Sequence, residues 1–254
     1  KKIIMRLGIF HRILWAKNSD YIETQTVTAS KGISKRVNFP LEKIFVIPNS
    51  PNSIFLDEGK NVNIDHSFNK ENIAFCLSAP YEHKNLDFIP EVASQLKNIY
   101  KIKMTFILTL PFDSEIWQEI KKKSSDLKVS EMIKNVGKLK IKECLNYYKC
   151  SKIVFLPTLL EIFSATYLES MSMRVPIITT DLSFAKDNCK SGALFFESEN
   201  SNDAAKKINS LITDEVKYIN LIKEGLKVLN SYPSVEEKYE KLFSCFKNII
   251  TNER

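Results

Sequence analysis

Glu161 and Glu169 are separated by the seven residues Ile162-Phe-Ser-Ala-Thr-Tyr-Leu168. They follow the apolar run Ile153-Val-Phe-Leu-Pro157 and precede Ser170-Met-Ser-Met-Arg-Val-Pro-Ile-Ile-Thr-Thr-Asp181. This order reads as a strand, an acidic turn, a helix and a further strand, an arrangement that can hold a sugar joined to a diphosphate. Glu161 falls in the turn, where a carboxylate accepts hydrogen bonds from sugar hydroxyls. Glu169 falls about two turns into the helix, within reach of ribose hydroxyls across the same cleft. Between them, the first backbone N–H groups of the helix, around Ser164, Ala165 and Thr166, point at the space a diphosphate would fill. A plainer account also covers the pair, with one carboxylate at a helix start and the other on a solvated face. The surrounding sequence favours the first account.

Such a site needs strand ends to carry it, and from Asn72 onward apolar, β-rich runs alternate with helical patterns. The predicted order is Ile73–Ser78 then Leu86–Ile99, Met104–Leu110 then Ser114–Leu127, and Ile133–Gly137 then Lys142–Cys150. Lys152–Thr158 then Ser164–Met173, Pro176–Asp181, and Ala193–Glu197 then Asp203–Ile212 complete it. Strand runs that are apolar on both faces must be covered on both, which predicts parallel strands with crossover helices in a doubly wound α/β domain. Asn85 is expected to cap the first of these helices. Pro90 is tolerated there if it lies in the first turn and kinks the helix otherwise.

In open parallel sheets, ligands bind outside the carboxyl ends of the strands. That rule gathers Ser78 and Lys84 after the first strand, Gly137 and Lys138 after the third, and Thr158 and Glu161 after the fourth. Lys84, in Pro80-Tyr-Glu-His-Lys-Asn85, is the candidate for neutralising a diphosphate, because an ammonium on a flexible stem follows charge as it builds on a leaving group. A surface lysine in a polar loop is the alternative. His83 is read as a loop histidine bonded to backbone, with no catalytic role. Gly137 permits close approach of backbone to a nucleobase, or serves as a simple turn glycine.

Residues 1–47 read differently. They suggest a basic amphipathic helix (Ile3, Leu7, Phe10, Leu14, with Lys1, Lys2, Arg6, Arg12 and Lys17), a short strand near Tyr21–Thr24, a helix around Ser30–Val37 and the strand Ile44–Ile47. Pro48-Asn-Ser-Pro-Asn52 follows as a hinge. The expected division is therefore 1–47 as the end of a preceding domain, 48–233 as the main domain and 234–254 as a terminal helix beyond Ser231-Tyr-Pro-Ser234. The opening residue is Lys1 rather than Met, which reads as an excised portion of a longer protein. The opening helix suits docking on anionic lipid, or packing against the rest of that preceding domain.

The 254 residues, 44% hydrophobic and 26% charged, are ordinary for a globular α/β protein. A net charge of +7 suits anionic small molecules, anionic lipid or nucleic acid. Neither zinc-finger spacing nor an RNA-binding aromatic signature selects nucleic acid, so none is expected as a partner. Five cysteines, odd in number and without a C-x-x-C pair, read as reduced thiols in a cytoplasmic protein. No apolar run approaches the roughly 20 residues of a membrane span, and no signal peptide is visible. The expected location is the cytoplasm, with peripheral attachment to the inner face of the membrane left open.

An ordered series of motifs resembles the C-terminal, donor-binding half of nucleotide-sugar-dependent glycosyltransferases of the GT-B type, in the retaining family with the E-x7-E signature, similar to glycosyltransferase family 4. It comprises Val46-Ile-Pro-Asn49, Ser78-Ala-Pro-Tyr-Glu-His-Lys-Asn85, Asn135-Val-Gly-Lys138, Phe155-Leu-Pro-Thr158, Glu161 to Glu169, and Arg174-Val-Pro-Ile177. The succession is more specific than any single motif, and the resemblance covers about residues 20–250. It implies a doubly wound, Rossmann-like parallel sheet preceded by only the end of an N-terminal acceptor domain, with the last helix crossing back toward that domain. It implies that Glu161 contacts donor-sugar hydroxyls and Lys84 the diphosphate, as the catalytic pair, and that Glu169 binds the ribose. The remaining donor-binding positions are Ser78, Gly137, Lys138, Thr158, Phe163, Ser164, Ala165 and Thr166.

The sequence departs from the family pattern twice. The usual arginine before the lysine is replaced around Ser78 or Ala79, and the usual G-F-G-L turn reads Ile162-Phe163-Ser164-Ala165. The resemblance implies retaining transfer from a UDP- or GDP-sugar to a glycan or lipid-linked acceptor in bacterial surface polysaccharide or glycoconjugate assembly, with no cofactor and no obligatory metal. The alternatives are a sugar-nucleotide epimerase or hydrolase on the same fold, or a non-catalytic donor domain acting as a binding or scaffold module.

Overall fold

The computed structural model describes residues 11–64 and 67–252. The chain divides into two compact units, one drawn from Lys1–Ser50 and Tyr232–Arg254, the other formed by Pro51–Ser231. In the first unit, a helix described over residues 11–17 (α1) leads to strand β1 (Ile22–Thr24), helix α2 (Val27–Val37) and strand β2 (Ile44–Val46). The two strands pair in parallel with Ile22 opposite Ile44. Val37, Phe39 and Ile44 form a small core with Ile13, Ile22 and Ile33 packed against it. The final helix, Val235–Asn252, is fastened in this unit at its start: Lys238 Nζ donates to Asn49 Oδ1 at 2.6 Å and the Ser50 hydroxyl donates to the Ser234 carbonyl at 2.9 Å. Of the basic helix expected at the start of the chain, Leu14 lies in α1 and is exposed. Ile3, Leu7 and Phe10, with Lys1, Lys2 and Arg6, lie outside the described residues.

The second unit runs α3 (Ser53–Lys60), β3 (Ile73–Cys76), α4 (Ile89–Gln95), β4 (Thr105–Leu108), α5 (Glu115–Asp126), β5 (Ile133–Asn135), α6 (Ile141–Cys150) and β6 (Ile153–Leu156). It continues through α7 (Ala165–Ser172), β7 (Ile177–Thr180), α8 (Ser183–Cys189), β8 (Ala193–Phe196), α9 (Ser201–Ile212) and α10 (Glu215–Leu229). Its strands form one parallel sheet in the order β5-β4-β3-β6-β7-β8. The expected doubly wound α/β class is therefore what the chain adopts.

Both faces of the sheet are covered, as uninterrupted apolar strands require. Ala74, Cys76, Phe106, Leu108 and Phe155 share a core with Ile89 and Val92 of α4, Ile120 of α5 and Ala204, Ile208 and Leu211 of α9. Phe75, between Ala74 and Cys76, points to the other face. There it meets Tyr148 of α6 edge-on, with ring centroids 5.1 Å apart, and Tyr148 in turn meets Phe55 of α3 at 5.6 Å. No helix among the described residues is long and apolar enough to cross a membrane.

Local details differ from the sequence reading where hydrogen bonding overrides pattern. Asn85 does not cap a helix with its side chain: it is left-handed (φ 52°) and closes the 3-10 turn Glu82–Lys84. A second 3-10 turn, Leu86–Phe88, then feeds α4, so Pro90 stands in the first helical turn, where its missing N–H costs nothing. The helix ends in a π turn, Leu96–Tyr100. Helix α10 follows α9 without an intervening strand, so the strand–helix alternation gives no sign of it.

Helix α3 lies against α7 through Gly59, where an added Cβ would stand 1.8 Å from the Ser172 carbonyl oxygen. Alanine gains about 1 kcal/mol of helix propensity over glycine, but overpacking against backbone costs roughly 1–3 kcal/mol or more. Gly59→Ala is thus expected to lower the urea unfolding midpoint, and a raised midpoint would contradict the close approach of the two helices.

Candidate functional site

Counted from β3, the strands of the sheet lie in the order 3-2-1-4-5-6. The chain leaves β3 toward one edge and β6 toward the other, so the loops beyond these two strands part and open a crevice. Residues 77–85 leave β3 and residues 157–164 leave β6. The two loops are joined by backbone, the Leu159 N–H donating to the His83 carbonyl at 2.7 Å. Beside that bond, Lys84 Nζ donates to Glu161 Oε1 in an ion pair, and each side chain is only 17% exposed. The lysine and the glutamate singled out in the sequence therefore meet at the crevice.

Burial pulls the pKa of Lys84 below its ordinary value. Removing its anionic partner would leave a poorly hydrated cation, a demand that another anion can meet. Burial, and then the charge of Lys84, lower the pKa of His83 below its usual value, so the imidazole is neutral at pH 7. Its ring stacks on Tyr81, centroids 5.5 Å apart, and its carbonyl holds the neighbouring loop. The role shown is structural, but the bond runs through the backbone carbonyl while the ring packs on an aromatic side chain.

Helix α7 begins at Ala165, which puts Glu169 just over one turn into the helix and not two. The side chains of Thr26, Asn52, Asn200 and Asp214 each accept an N–H from the helix they precede. Ser164, at the same position before α7, makes no such bond, so its hydroxyl does not occupy the first N–H groups of the helix. The body of α7 is held firmly: the Tyr167 hydroxyl bonds to Thr179 of β7 at 2.9 Å, and the Ser170 hydroxyl donates to the Val175 carbonyl at 2.8 Å. Glu169 is half-buried and accepts a hydrogen bond on Oε2 from the Tyr148 hydroxyl at 2.9 Å. Burial raises the pKa of its carboxyl above the ordinary value, and the bond from Tyr148 offsets part of that rise.

The remaining predicted residues line the same rim in different ways. The Ser78 backbone is held in both directions by the Thr109 hydroxyl, at 3.1 and 2.9 Å. Asn135 ends β5 and clamps the loop beyond β4, its Oδ1 accepting from the Leu110 N–H at 2.9 Å and its Nδ2 donating to the Leu110 carbonyl at 3.0 Å. Its Oδ1 also accepts from the Gly137 N–H at 3.3 Å. Gly137 has φ 77°, and an added Cβ would lie 2.8 Å from the Phe112 ring. The glycine thus serves a left-handed turn under an aromatic side chain, while Lys138 beside it is exposed. Thr158 is buried and its carbonyl accepts from the Thr180 hydroxyl at 2.7 Å, so it shapes the loop that carries Glu161. Phe163, Ser164 and Thr166 are half-buried and Ala165 is exposed.

Sequence reasoning did not single out Tyr148, Thr109, Asn135 or Thr180 for these roles. Three of them share a signal: a hydroxyl or amide residue directly ending or following an apolar strand run. Among the described residues, no group of three or more His, Cys, Asp and Glu is placed to hold a metal ion.

A family model described as glycosyl transferases group 1 matches residues 58–228. The chain belongs to this family. Among solved structures, it resembles a glycosyltransferase from Rickettsia africae with a TM-score of 0.76 at 18% identity, the match covering 92% of this chain and 64% of that one. It also resembles HepE from Anabaena, crystallised with UDP and glucose, with a TM-score of 0.75 at 12% identity, covering 90% of this chain and 63% of that one. A third likeness is to a Staphylococcus aureus TarM variant crystallised with fondaparinux, α-GlcNAc-glycerol and UDP, with a TM-score of 0.72 at 20% identity and coverage of 92% and 45%. The chain thus spans less than two thirds of the length of each structure and shares with them the GT-B fold. No curated protein matches it.

In this group 1 glycosyltransferase domain, the half-buried carboxylate of Glu169 weighs on stability. Its folded pKa is raised by burial, so between the ordinary carboxylate value and that raised value the native state binds more protons than the unfolded chain, and stability falls as pH rises through the window. Once pH exceeds the raised value, the full cost of the buried charge is borne. The titratable neighbours, Tyr148 and Cys144, are both pushed up, Cys144 to about 11, and stay neutral at pH 7. Glu169→Gln is expected to raise the urea midpoint at pH 7, the gap closing as pH falls into the ordinary carboxylate range. A gap independent of pH would show that the carboxylate charge carries no folding penalty.

Proposed function

We propose that the chain holds the nucleotide-sugar donor of a retaining glycosyltransferase of the E-x7-E type. As part of the whole enzyme, it would direct the sugar to a glycan or lipid-linked acceptor, in the assembly of bacterial surface polysaccharide or glycoconjugate. The observation that carries this reading is the meeting of the Lys84 ammonium and the Glu161 carboxylate in the crevice between the β3 and β6 loops. An ammonium suited to a diphosphate and a carboxylate suited to sugar hydroxyls stand together where a diphosphate is joined to its sugar. The uncapped start of α7 and the Glu169 carboxylate follow along the same wall. HepE crystallised with UDP and glucose, and TarM crystallised with UDP, lend the same ligand class to the reading.

In this reading the acceptor oxygen forms its bond to the anomeric carbon on the face from which the diphosphate leaves. The bond from anomeric carbon to phosphate oxygen breaks, and the acceptor proton passes to the departing phosphate. No strong general base is required. Lys84 and the first N–H groups of α7 meet the charge that grows on the leaving group, which is the term such sites stabilise most. The pairing of Lys84 with Glu161 adds a condition: the diphosphate competes with Glu161 for the ammonium, and the sugar hydroxyls give the displaced carboxylate new partners. A bare nucleoside diphosphate takes the cation without compensating the anion.

Titration calorimetry with UDP, GDP and UDP-glucose tests the reading. A nucleoside diphosphate is expected to bind, and Glu169→Ala to weaken it by about 1.5–3 kcal/mol, the range for a hydrogen bond to a charged group. Failure of every nucleotide to bind, or unchanged affinity in a folded Glu169→Ala protein, would overturn it. Glu161→Gln is expected to tighten bare UDP, because Lys84 loses its competitor, while abolishing the preference for UDP-glucose over UDP. Equal weakening of both ligands would remove Glu161 from the sugar site.

A further inference from the structure

We infer that Tyr148 is the positioning residue for ribose recognition, fixing one oxygen of Glu169 so that the other is presented to the donor. The inference rests on the reading of Glu169 as the ribose-binding carboxylate and deepens it. A glutamate side chain has three rotatable bonds, and a hydrogen bond from another element can select among its rotamers. Tyr148 supplies the selection from the neighbouring helix α6, its hydroxyl donating to Oε2 at 2.9 Å. The hydroxyl can do so because the ring cannot move. Tyr148 is fully buried, with Phe55 of α3 edge-on at 5.6 Å and Phe75 of β3 edge-on at 5.1 Å.

Phe75 lies on the strand whose outgoing loop bears Lys84. Tyr148 therefore references the carboxylate to the same strand as the lysine, which fixes the spacing between the ribose and diphosphate contacts. The Tyr148 hydroxyl bonds to the carboxylate of the signature pair. The bond also favours the ionised form of Glu169, offsetting part of the effect of burial.

The test is calorimetry with two probes, UDP and a UDP analogue lacking both ribose hydroxyls, on wild-type protein, Tyr148→Phe and Glu169→Ala. Tyr148→Phe keeps the ring and deletes one hydroxyl. It is expected to weaken UDP by roughly 3- to 10-fold, the net worth of one hydrogen bond, and to leave the analogue's affinity at the wild-type value, so that the ratio between the probes falls. A general loosening of the fold would weaken both probes alike and overturn the assignment, as would an unchanged ratio. Glu169→Ala separates the two claims. If it does not lower the ratio, the ribose reading itself fails; if it does while Tyr148→Phe does not, only the positioning role fails. Should Tyr148→Phe not fold, 3-fluorotyrosine incorporated in place of Tyr148 keeps ring and hydroxyl and makes a stronger donor. It is expected to raise the ratio, and an unchanged or lower ratio overturns the proposal.

Discussion

The ion pair between Lys84 and Glu161 depends on a feature of topology: two adjacent parallel strands whose outgoing loops part company. Only between β3 and β6 does this sheet reverse its order, and only there can a side chain from one loop face a side chain from the other with space beyond them. The pair does not have to hold the loops together. That task falls to the backbone bond from Leu159 to His83, while the Thr180 hydroxyl on the Thr158 carbonyl ties the β6 loop to β7. Because the backbone is secured independently, the charged groups can exchange partners without the loops moving. A site built this way can trade an internal carboxylate for a diphosphate at the cost of side-chain rearrangement alone.

The same division of labour recurs along the rim. Thr109 secures the backbone of Ser78, Asn135 secures Leu110 and Gly137, and Tyr167 secures α7 to β7. Each tie runs from a group at or beside a strand end to a neighbouring element, so the rim is fixed by the sheet and not by the loops themselves. Glu169 is the point where this rigidity has a cost. Its carboxylate is held by a buried phenol in a place where burial disfavours the charge, a tension expected of a group placed for a ligand and not for the fold.

Much of this was legible in the chain because a doubly wound sheet leaves a strong imprint. Runs such as Ile153-Val-Phe-Leu156 are buried on both faces, and no exposed position interrupts them, so strand positions, parallel order and the rim holding Lys84, Glu161 and Glu169 could be read directly. What could not be read were contacts between elements distant in sequence. Nothing near Lys84 indicates that its ammonium lies on Glu161. Tyr148 sits in a helix pattern like any other aromatic residue, and only its packing against Phe75 of β3 and Phe55 of α3 brings its hydroxyl to Glu169. Asn85 has the side chain of a cap yet takes a left-handed turn, because the chain enters α4 through two successive 3-10 turns. The start of α7 was legible to within a residue: the stretch Ile162-Phe163-Ser164 leads into a helix read from Ser164, and the helix begins at Ala165.

That last stretch bears on how the chain differs from the pattern it resembles. Where the usual turn has glycines, none of Ile162, Phe163, Ser164 and Ala165 has a positive φ, and Ser164 is extended at φ −108° and ψ 113°. The backbone here makes no demand that only glycine could satisfy, so the substitution introduces no strain. What it introduces is side-chain bulk. Ile162 is 56% exposed and Ser164 is half-buried, so on the proposed donor reading a diphosphate approaching the helix start would meet a Cβ at the two positions where glycine would offer bare backbone. The consequence would fall on distance: the N–H dipoles would act from farther away, and the weight of charge compensation would move to the ammonium of Lys84. The replaced arginine at Ser78 or Ala79 shifts the balance the same way. On the same reading Lys84, drawn below its ordinary pKa by burial and paired with Glu161, would be the cation on which a diphosphate in the crevice depends.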